Sequence, residues 1–132
     1  NFFNIILLNE TLEHLDFHPL KVFQDIYRIL RPGGKVIITT PNLTRLNNRI
    51  KFFLGKSIHH NIKENYWAGT HYREYSKSEL VYLIKEAGLK VKEIMFTDFD
   101  YPNTNIIIKI VNKLAGLLLP FLKGNIVIIG EK

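Results

Sequence analysis

The stretch "RILRPGGKVIITTPN" (28–42) decides the fold of this chain of 132 residues. Its apolar run, "KVIITTP" (35–41), predicts a buried strand. The residues just before that run predict the end of a helix, because Pro32 cannot continue a helical ladder and Gly33 or Gly34 can adopt a positive φ. The stretch therefore marks the passage from a helix into a strand.

The residues ahead of this stretch supply the other parts of one folding unit. "FFNIILL" (2–8) is a nearly continuous apolar run, typical of a strand covered on both faces of a parallel sheet. "PLKVFQDIYRIL" (19–30) has apolar residues three or four apart, which predicts an amphipathic helix. Strand, helix and strand with short connections form a βαβ unit, whose strands are parallel. The fold class is therefore α/β.

The second half of the chain predicts one more helix and two more strands. "SKSELVYLIKEAG" (76–88) opens with Ser76 and Glu79 in capping-box spacing and ends in glycine. "LKVKEIMF" (89–96) and "NIVIIGEK" (125–132) read as strands. A sheet of four strands is small, and a chain that starts on a buried strand leaves that strand with an open edge. We therefore expect residues 1–132 to be the C-terminal part of a larger domain.

The composition restricts the chemistry. The chain has no cysteine, so thiolate catalysis and cysteine-ligated zinc are excluded for these residues. The formal net charge of +6 would attract anionic partners such as nucleic acid, phosphorylated metabolites or lipid headgroups. The first ten residues carry no basic leader and no small-residue cleavage site, so we expect a cytoplasmic location.

Two insertions interrupt the α/β pattern. Residues 43–75 combine basic and aromatic residues, which favours a lid that selects the substrate, with an amphipathic helix or a nucleotide-binding surface as alternatives. Residues 98–124 form an apolar amphipathic insertion, and its part 104–123 predicts either a helix that packs on the protein or on a second copy, or a peripheral membrane contact.

The stretch "NETLEHL" (9–15) follows the first predicted strand and concentrates polar groups. Glu10, Glu13 and His14 are spaced so that one helical turn would point all three the same way. Two carboxylates held that close repel each other unless a cation or a proton lies between them. A metal site is one interpretation, and a structural turn with His14 lining the cleft is the other.

Several of these segments together resemble the class I S-adenosylmethionine-dependent methyltransferases. The resemblance covers about residues 2–97 and rests on "NETLEHL", "RILRPGGKVIITTPN" and "HYREYSKSELVYLIKEAGLKV" in the family's order. It implies a Rossmann-like fold of which this chain holds the last four strands of seven, the final strand antiparallel and inserted between its neighbours. The cofactor would be S-adenosyl-L-methionine. The family's glycine-rich cofactor loop has no counterpart in these residues, so we expect the isolated chain to be inactive.

The resemblance also predicts site residues and a reaction. The reaction would be O-methylation of a small-molecule or glycan-like acceptor, and the site is expected at the carboxyl ends of the first two strands. The predicted residues are His14 and His71 for catalysis, Asn9 and Glu10 for the cofactor, Thr40, Asn42, Trp67 and Arg73 for the substrate, and Glu10, Glu13, His14 and His71 for a metal such as Mg2+. A second interpretation is an enzyme like the metal-dependent RNA 2'-O-methyltransferases, although nucleic acid is a minority partner. A third is a non-catalytic half-fold that acts as an interaction module.

Overall fold

The fold is a four-stranded sheet with helices packed on it, as seen in a computed structural model that describes residues 2–58, 71–98 and 106–132. The strands are β1 (Phe3–Asn9), β2 (Leu30–Pro41), β3 (Lys90–Thr97) and β4 (Asn125–Glu131). The helices are α1 (Leu20–Ile29), α2 (Leu46–Phe53), α3 (Lys77–Glu86) and α4 (Ile106–Leu118). Short 3-10 turns lie at Leu12–His14 and Pro120–Leu122.

The strand order in the sheet is β1, β2, β4, β3. β1 and β2 run parallel, whereas β4 is antiparallel to both of its neighbours. The prediction of a partial Rossmann-like α/β fold whose last strand is antiparallel and inserted is therefore confirmed. The two ends Pro41 and Thr97 both pair with Asn125, so β2 and β3 finish at the same edge of the sheet.

The Pro-Gly-Gly triplet does not end α1, which stops at Ile29, but lies inside β2. Leu30 already pairs with Phe3, and the next pair along the ladder joins Lys35 to Ile5, so the residues between them bulge out of the sheet. Gly33 has the predicted positive φ, 76°, and its N–H donates a 2.9 Å hydrogen bond to the carbonyl of Lys132. The strand starts earlier than predicted because a β-bulge accommodates extra residues without breaking the ladder.

One face of the sheet carries the core. α1 and α3 contact each other and both pack on this face. Ser76 and Glu79 form the predicted capping box at the start of α3. The buried side chains there come from both helices, from the strands and from the turn after β1: Leu12, Phe23, Ile26, Leu30, Val36, Ile38, Leu80, Leu83, Ile84, Ile126 and Ile128.

The opposite face of β1 is open in the described part of the chain. Phe3, Ile5 and Leu7, which alternate along the strand, are each at least half exposed. The prediction that both faces of β1 are covered is therefore not met by these residues, because α1 and α3 share the other face. None of the described helices is long and apolar enough to cross a membrane.

Candidate functional site

A cluster of ionisable side chains lies at the carboxyl ends of β1 and β2. The chain leaves β1 through Glu10, whose φ of 43° is left-handed and whose N–H donates a 2.9 Å hydrogen bond to the carbonyl of Thr39 on β2. The 3-10 turn Leu12–His14 follows directly and buries Leu12 in the core. The turn thereby fixes its two polar residues, Glu13 and His14, at the edge where ligands bind in open α/β sheets.

Glu13 is the fully buried member of the cluster. Its side chain is 0% exposed, and its Oε2 accepts a 3.0 Å hydrogen bond from the hydroxyl of Thr40 at the end of β2. Oε1 has no hydrogen-bond partner among the described residues, and Nε2 of His14 lies 4.0 Å from it. A buried carboxylate oxygen that the protein leaves unbonded is costly, so it is a place for a proton, a cation or a polar ligand.

His71 joins the cluster from a distant part of the sequence. The ring centroids of His14 and His71 are 4.9 Å apart, with the rings almost perpendicular. One ligand atom from each of Glu13, His14 and His71 lies within 4.8 Å of the others. The structure thus brings together three of the four predicted metal ligands.

The backbone explains how His71 arrives there. The N–H of Tyr72 donates a 2.7 Å hydrogen bond to the carbonyl of Glu13, and the N–H of Leu43 donates one of 3.0 Å to the carbonyl of Tyr75. Residues 71–75 are thus bonded to the 3-10 turn at one end and to the end of β2 at the other.

Glu74 is a site residue that the sequence analysis missed. Arg45 holds it with two hydrogen bonds of 2.7 and 2.8 Å, and the amide of Asn48 on α2 donates a third, of 2.9 Å. Oε1 of Glu74 lies 3.8 Å from Nδ1 of His71. The signal was present in "HYRE", where a carboxylate follows the histidine by three residues. Glu74 therefore connects α2 to the histidine.

Glu10 lies at the border of the cluster. Burial raises the pKa of its carboxyl above the ordinary value, the Thr39 hydrogen bond lowers it, and the nearby charge of Glu13 raises it further. Its Oε1 is buried without a hydrogen-bond partner among the described residues. Of the four predicted metal ligands, Glu10 alone falls outside the 4.8 Å group.

The predicted cofactor and substrate residues occupy different surroundings. Asn9 is exposed at the end of β1. The hydroxyl of Thr40 is buried and bonded to Glu13. The buried amide of Asn42 donates 2.8 Å hydrogen bonds to the carbonyls of Phe121 and Lys123. These bonds give Thr40 and Asn42 structural roles, and they lend no support to the prediction that the two side chains contact a substrate.

The other two predicted substrate residues belong to the 43–75 insertion. Arg73 pairs with Glu79 and stacks over the ring of Tyr75, while its side chain stays largely exposed. Trp67 lies outside the described residues. The 43–75 insertion itself is described on both sides of 59–70, as α2 and as the segment that carries His71.

The fold and the cluster define an α/β domain with a polar site at the carboxyl ends of two parallel strands. The model of a methyltransferase domain family matches residues 1–94. The chain belongs to this methyltransferase domain family.

Several known proteins are similar to this chain. A protein of Mycolicibacterium smegmatis, described as a probable S-adenosylmethionine-dependent methyltransferase, is 28% identical over 92 residues, which is 70% of this chain and 30% of the relative. A SAM-dependent methyltransferase of Methanosarcina mazei superimposes with a TM-score of 0.64 at 13% identity, over 98% of this chain and 59% of that one. One from Archaeoglobus fulgidus gives 0.61 at 20% identity, over 99% and 60%.

These comparisons bear on the fold and on the extent of the chain. At such low identities the structural matches show the fold alone. The chain spans about a third of the curated relative and about 60% of the solved chains.

Proposed function

We propose that the protein to which this chain belongs transfers a methyl group from S-adenosyl-L-methionine to an oxygen atom of a small-molecule or glycan-like acceptor. The observation that carries the proposal is the Glu13, His14 and His71 cluster at the carboxyl ends of β1 and β2, in a chain of the methyltransferase domain family. The preference for oxygen over nitrogen or carbon rests on the family resemblance of the sequence.

The residues on this side of the cleft have distinct roles in the proposal. Asn9 and Glu10 lie at the end of β1, where a cofactor binds in such sheets, and would hold S-adenosyl-L-methionine. When bound, the cofactor supplies an electrophilic methyl group. The site residues would align the acceptor hydroxyl with that methyl group, so that the acceptor oxygen would gain the methyl carbon as the carbon–sulfur bond breaks. This alignment and the exclusion of water would supply much of the rate.

His14 is the residue that we assign as general base. Its side chain is 39% exposed, so an acceptor can reach it, and it lies beside the buried carboxylate of Glu13. It takes the proton that the acceptor hydroxyl loses, and the Glu13 carboxylate stabilises the resulting imidazolium. His71 lies edge-on to the same ring and would share this task or orient His14.

The cluster also fits a divalent cation. Two buried carboxylate oxygens, Oε1 of Glu10 and Oε1 of Glu13, lack hydrogen-bond partners among the described residues, and the Glu13, His14 and His71 ligand atoms are close enough to converge on one ion. Two imidazoles and one or two carboxylates suit Mn2+, Zn2+ or Fe2+ better than Mg2+, which prefers oxygen ligands. A bound cation would lower the pKa of an acceptor hydroxyl, and with His14 as its ligand it would replace the general-base role of that residue.

Isothermal titration with Mn2+ tests the cation separately from catalysis. We expect wild-type protein to bind Mn2+ and the His71→Ala variant to bind it at least about tenfold more weakly. His18→Ala is the matched control, because this exposed histidine lies outside the cluster and should leave binding unchanged. If wild-type protein shows no Mn2+ binding, the metal is removed from the proposal and the proton-transfer role of His14 remains.

The activity assay uses the full-length protein with S-adenosyl-L-methionine and a panel of hydroxyl acceptors, RNA included. Release of S-adenosylhomocysteine and the mass of the product report the reaction. We expect Glu13→Ala and His71→Ala to reduce turnover strongly while circular dichroism shows an intact fold. Wild-type rates in both variants would remove these residues from the mechanism.

One observation favours the alternative of a non-catalytic module that docks on another chain. In the described residues β1 pairs on one side only, and its Phe3, Ile5 and Leu7 side chains are exposed. Light scattering helps to distinguish the methyltransferase from the docking module. A stable monomer that also turns over the cofactor would contradict the docking module.

A further inference from the structure

α4 exposes its large apolar side chains to solvent, whereas a helix that packs on a core buries them. Asn112, Ala115 and Gly116, which are small or uncharged polar residues, are partly or fully buried, and Lys109 is partly buried as well. A Cβ at Gly116 would lie 2.9 Å from Cγ of Lys123, so at this point the helix approaches the following turn closely. The large apolar side chains are exposed: Ile106, Ile107, Ile110, Val111, Leu114, Leu117 and Leu118.

These exposed side chains occupy one continuous face. At about 100° per residue they fall within an arc of about 140° around the helix axis. The partly buried Lys109 and the exposed Lys113 lie at one border of that arc. A surface helix normally buries its apolar stripe and shows its charges to water. In α4 the apolar stripe faces out and the lysines flank it, which is the pattern of a helix that lies in a membrane interface.

Neighbouring segments extend the apolar face. Leu119 and Phe121 are exposed in the turn after α4, and the guanidinium of Arg49 on α2 stacks 5.6 Å above the Phe121 ring. Ile50, Phe52, Phe53 and Leu54, at the end of α2, are exposed as well. We call these exposed side chains of 50–54 and 106–121 together the apolar rim.

The charge around the apolar rim has one sign. Segments 43–58 and 106–124 contain no aspartate or glutamate, although the chain has 12 acidic residues. Their cations are Arg49, Lys51, Lys56, Lys109, Lys113 and Lys123, in addition to Arg45, whose charge is balanced by Glu74. A second copy of this chain would bring like charges together across the rim, whereas an anionic surface complements them. The charge therefore favours an anionic surface over a second copy of this chain as the partner of the rim.

We propose that the apolar rim docks the protein on an anionic lipid bilayer, with α4 lying in the plane of the interface. Phe121 and Lys123 are bonded through their carbonyls to Asn42, at the end of β2, so the rim is fixed near the edge of the sheet that carries the Glu13 cluster. Docking would place that edge close to the membrane surface. The inference depends on the rim alone and stands whether or not the proposed methyl transfer is correct.

Vesicle co-sedimentation of the full-length protein tests the proposal. The probes are vesicles of phosphatidylcholine alone and vesicles with about one quarter phosphatidylglycerol. We expect binding to the anionic vesicles, and a marked loss of it between roughly 0.05 M and 0.5 M salt, because salt screens the lysines. Equal binding to both kinds of vesicle would overturn the electrostatic half of the proposal.

Matched variants locate the surface. Leu114→Ser should weaken binding about tenfold, because it removes one buried leucine from the interface. Tyr82→Ser is its control, since the exposed fractions of Leu114 and Tyr82 are 59% and 58% and Tyr82 lies on α3. The pair Lys109→Gln and Lys113→Gln should weaken binding to anionic vesicles by roughly fivefold per lysine, whereas the exposed pair Lys77→Gln and Lys85→Gln should not.

Two outcomes overturn the proposal. If the protein binds neither kind of vesicle and forms a dimer that Leu114→Ser dissociates, the rim is an interface between copies. If the protein binds neither kind of vesicle and is a monomer that Leu114→Ser unfolds, the rim is covered by another part of the same protein.

Discussion

The hydroxyl of Thr40 donates a hydrogen bond to the carboxylate of Glu13, and both side chains are completely buried. Thr40→Val keeps the shape of the side chain but removes the donor. We expect the variant to lose about 2 kcal/mol of unfolding free energy, because a buried acceptor loses its partner. Urea denaturation measures the loss.

Thr39→Val is the matched control for Thr40→Val. Its hydroxyl accepts a weaker bond, 3.3 Å long, from the N–H of Glu10 and also bonds to the Glu10 carboxyl, and the side chain is partly exposed. We expect a loss of about 0.5 kcal/mol. Equal losses of unfolding free energy in the two variants would show that the Thr40 bond to Glu13 stabilises the fold no more than the Thr39 bond does.

Glu10 should make the protein less stable as the pH rises. Burial raises the pKa of this carboxyl above the value of 4.5 expected in the unfolded chain, so the unfolded state releases its proton first. Stability contributed by the protonated form is then lost from about pH 4.5 upward. Glu10→Gln should be more stable than wild type at neutral pH, and this advantage should vanish below pH 4.5. Thermal unfolding across pH measures it, and a constant difference would contradict the burial argument.

Glu79 should show the opposite dependence. Burial is the largest single influence and raises its pKa, but the bonds from the backbone and hydroxyl of Ser76 and the pairing with Arg73 together lower it below 4.5. The stability that this carboxylate contributes is present above pH 4.5 and is lost as the pH falls through the lowered pKa. Glu79→Gln should therefore be less stable than wild type at neutral pH, with the two curves converging in acid.

The sheet was largely predictable from the sequence because its signals are local. The apolar runs mark all four strands, and Ser76, Glu79 and Gly88 bracket α3. The early start of β2 was missed because a bulge depends on the partner strand and leaves no periodic signal. The open face of β1 was missed for a similar reason, since an apolar strand reads the same whether one face or both are covered.

The site was only partly predictable, because its bonds join distant segments. The spacing of Glu13 and His14 placed them together, and the resemblance added His71. Neither the spacing nor the resemblance could show that Thr40 donates a hydrogen bond to Glu13 or that the Asn42 amide donates to two backbone carbonyls. Such pairings depend on tertiary packing, which no local pattern encodes.

The ion pair of Arg45 and Glu74 should be far more sensitive to substitution than an exposed pair. The side chains of Arg45 and Glu74 are 24% and 12% exposed. Arg45→Met should cost about 3 kcal/mol, because it leaves the Glu74 carboxylate largely buried without its main partner. It should also broaden the NMR signals of the His71 ring.

Arg28→Met provides the comparison for Arg45→Met. It breaks the pair with Asp25, whose members are 72% and 53% exposed. We expect a cost of at most about 0.5 kcal/mol. Similar costs for both variants would mean that the Arg45 and Glu74 pair does not hold the 71–75 segment.

The two glycines of the bulge should differ in their tolerance of alanine. A Cβ at Gly34 would lie 2.8 Å from the carbonyl oxygen of Arg31 and 3.1 Å from that of Phe3, so Gly34→Ala should cost about 3 kcal/mol. A Cβ at Gly33 would meet open space, and only the positive φ of this residue disfavours alanine, so Gly33→Ala should cost about 1 kcal/mol. Equal melting temperatures for the two variants would contradict the close approach at Gly34.

The position of β4 sets the order in which the sheet can be assembled. β4 follows the other three strands in sequence, yet it lies between β2 and β3, which have no ladder to each other. During synthesis β3 therefore cannot join the sheet until residues 125–131 have left the ribosome. Until then α3 has its contacts with α1 and the bonds of residues 71–75 to Glu13 and Leu43, whereas β3 has no strand partner among the described residues. The nascent chain would thus expose its apolar core longest at this point, and it is there that a chaperone would bind it.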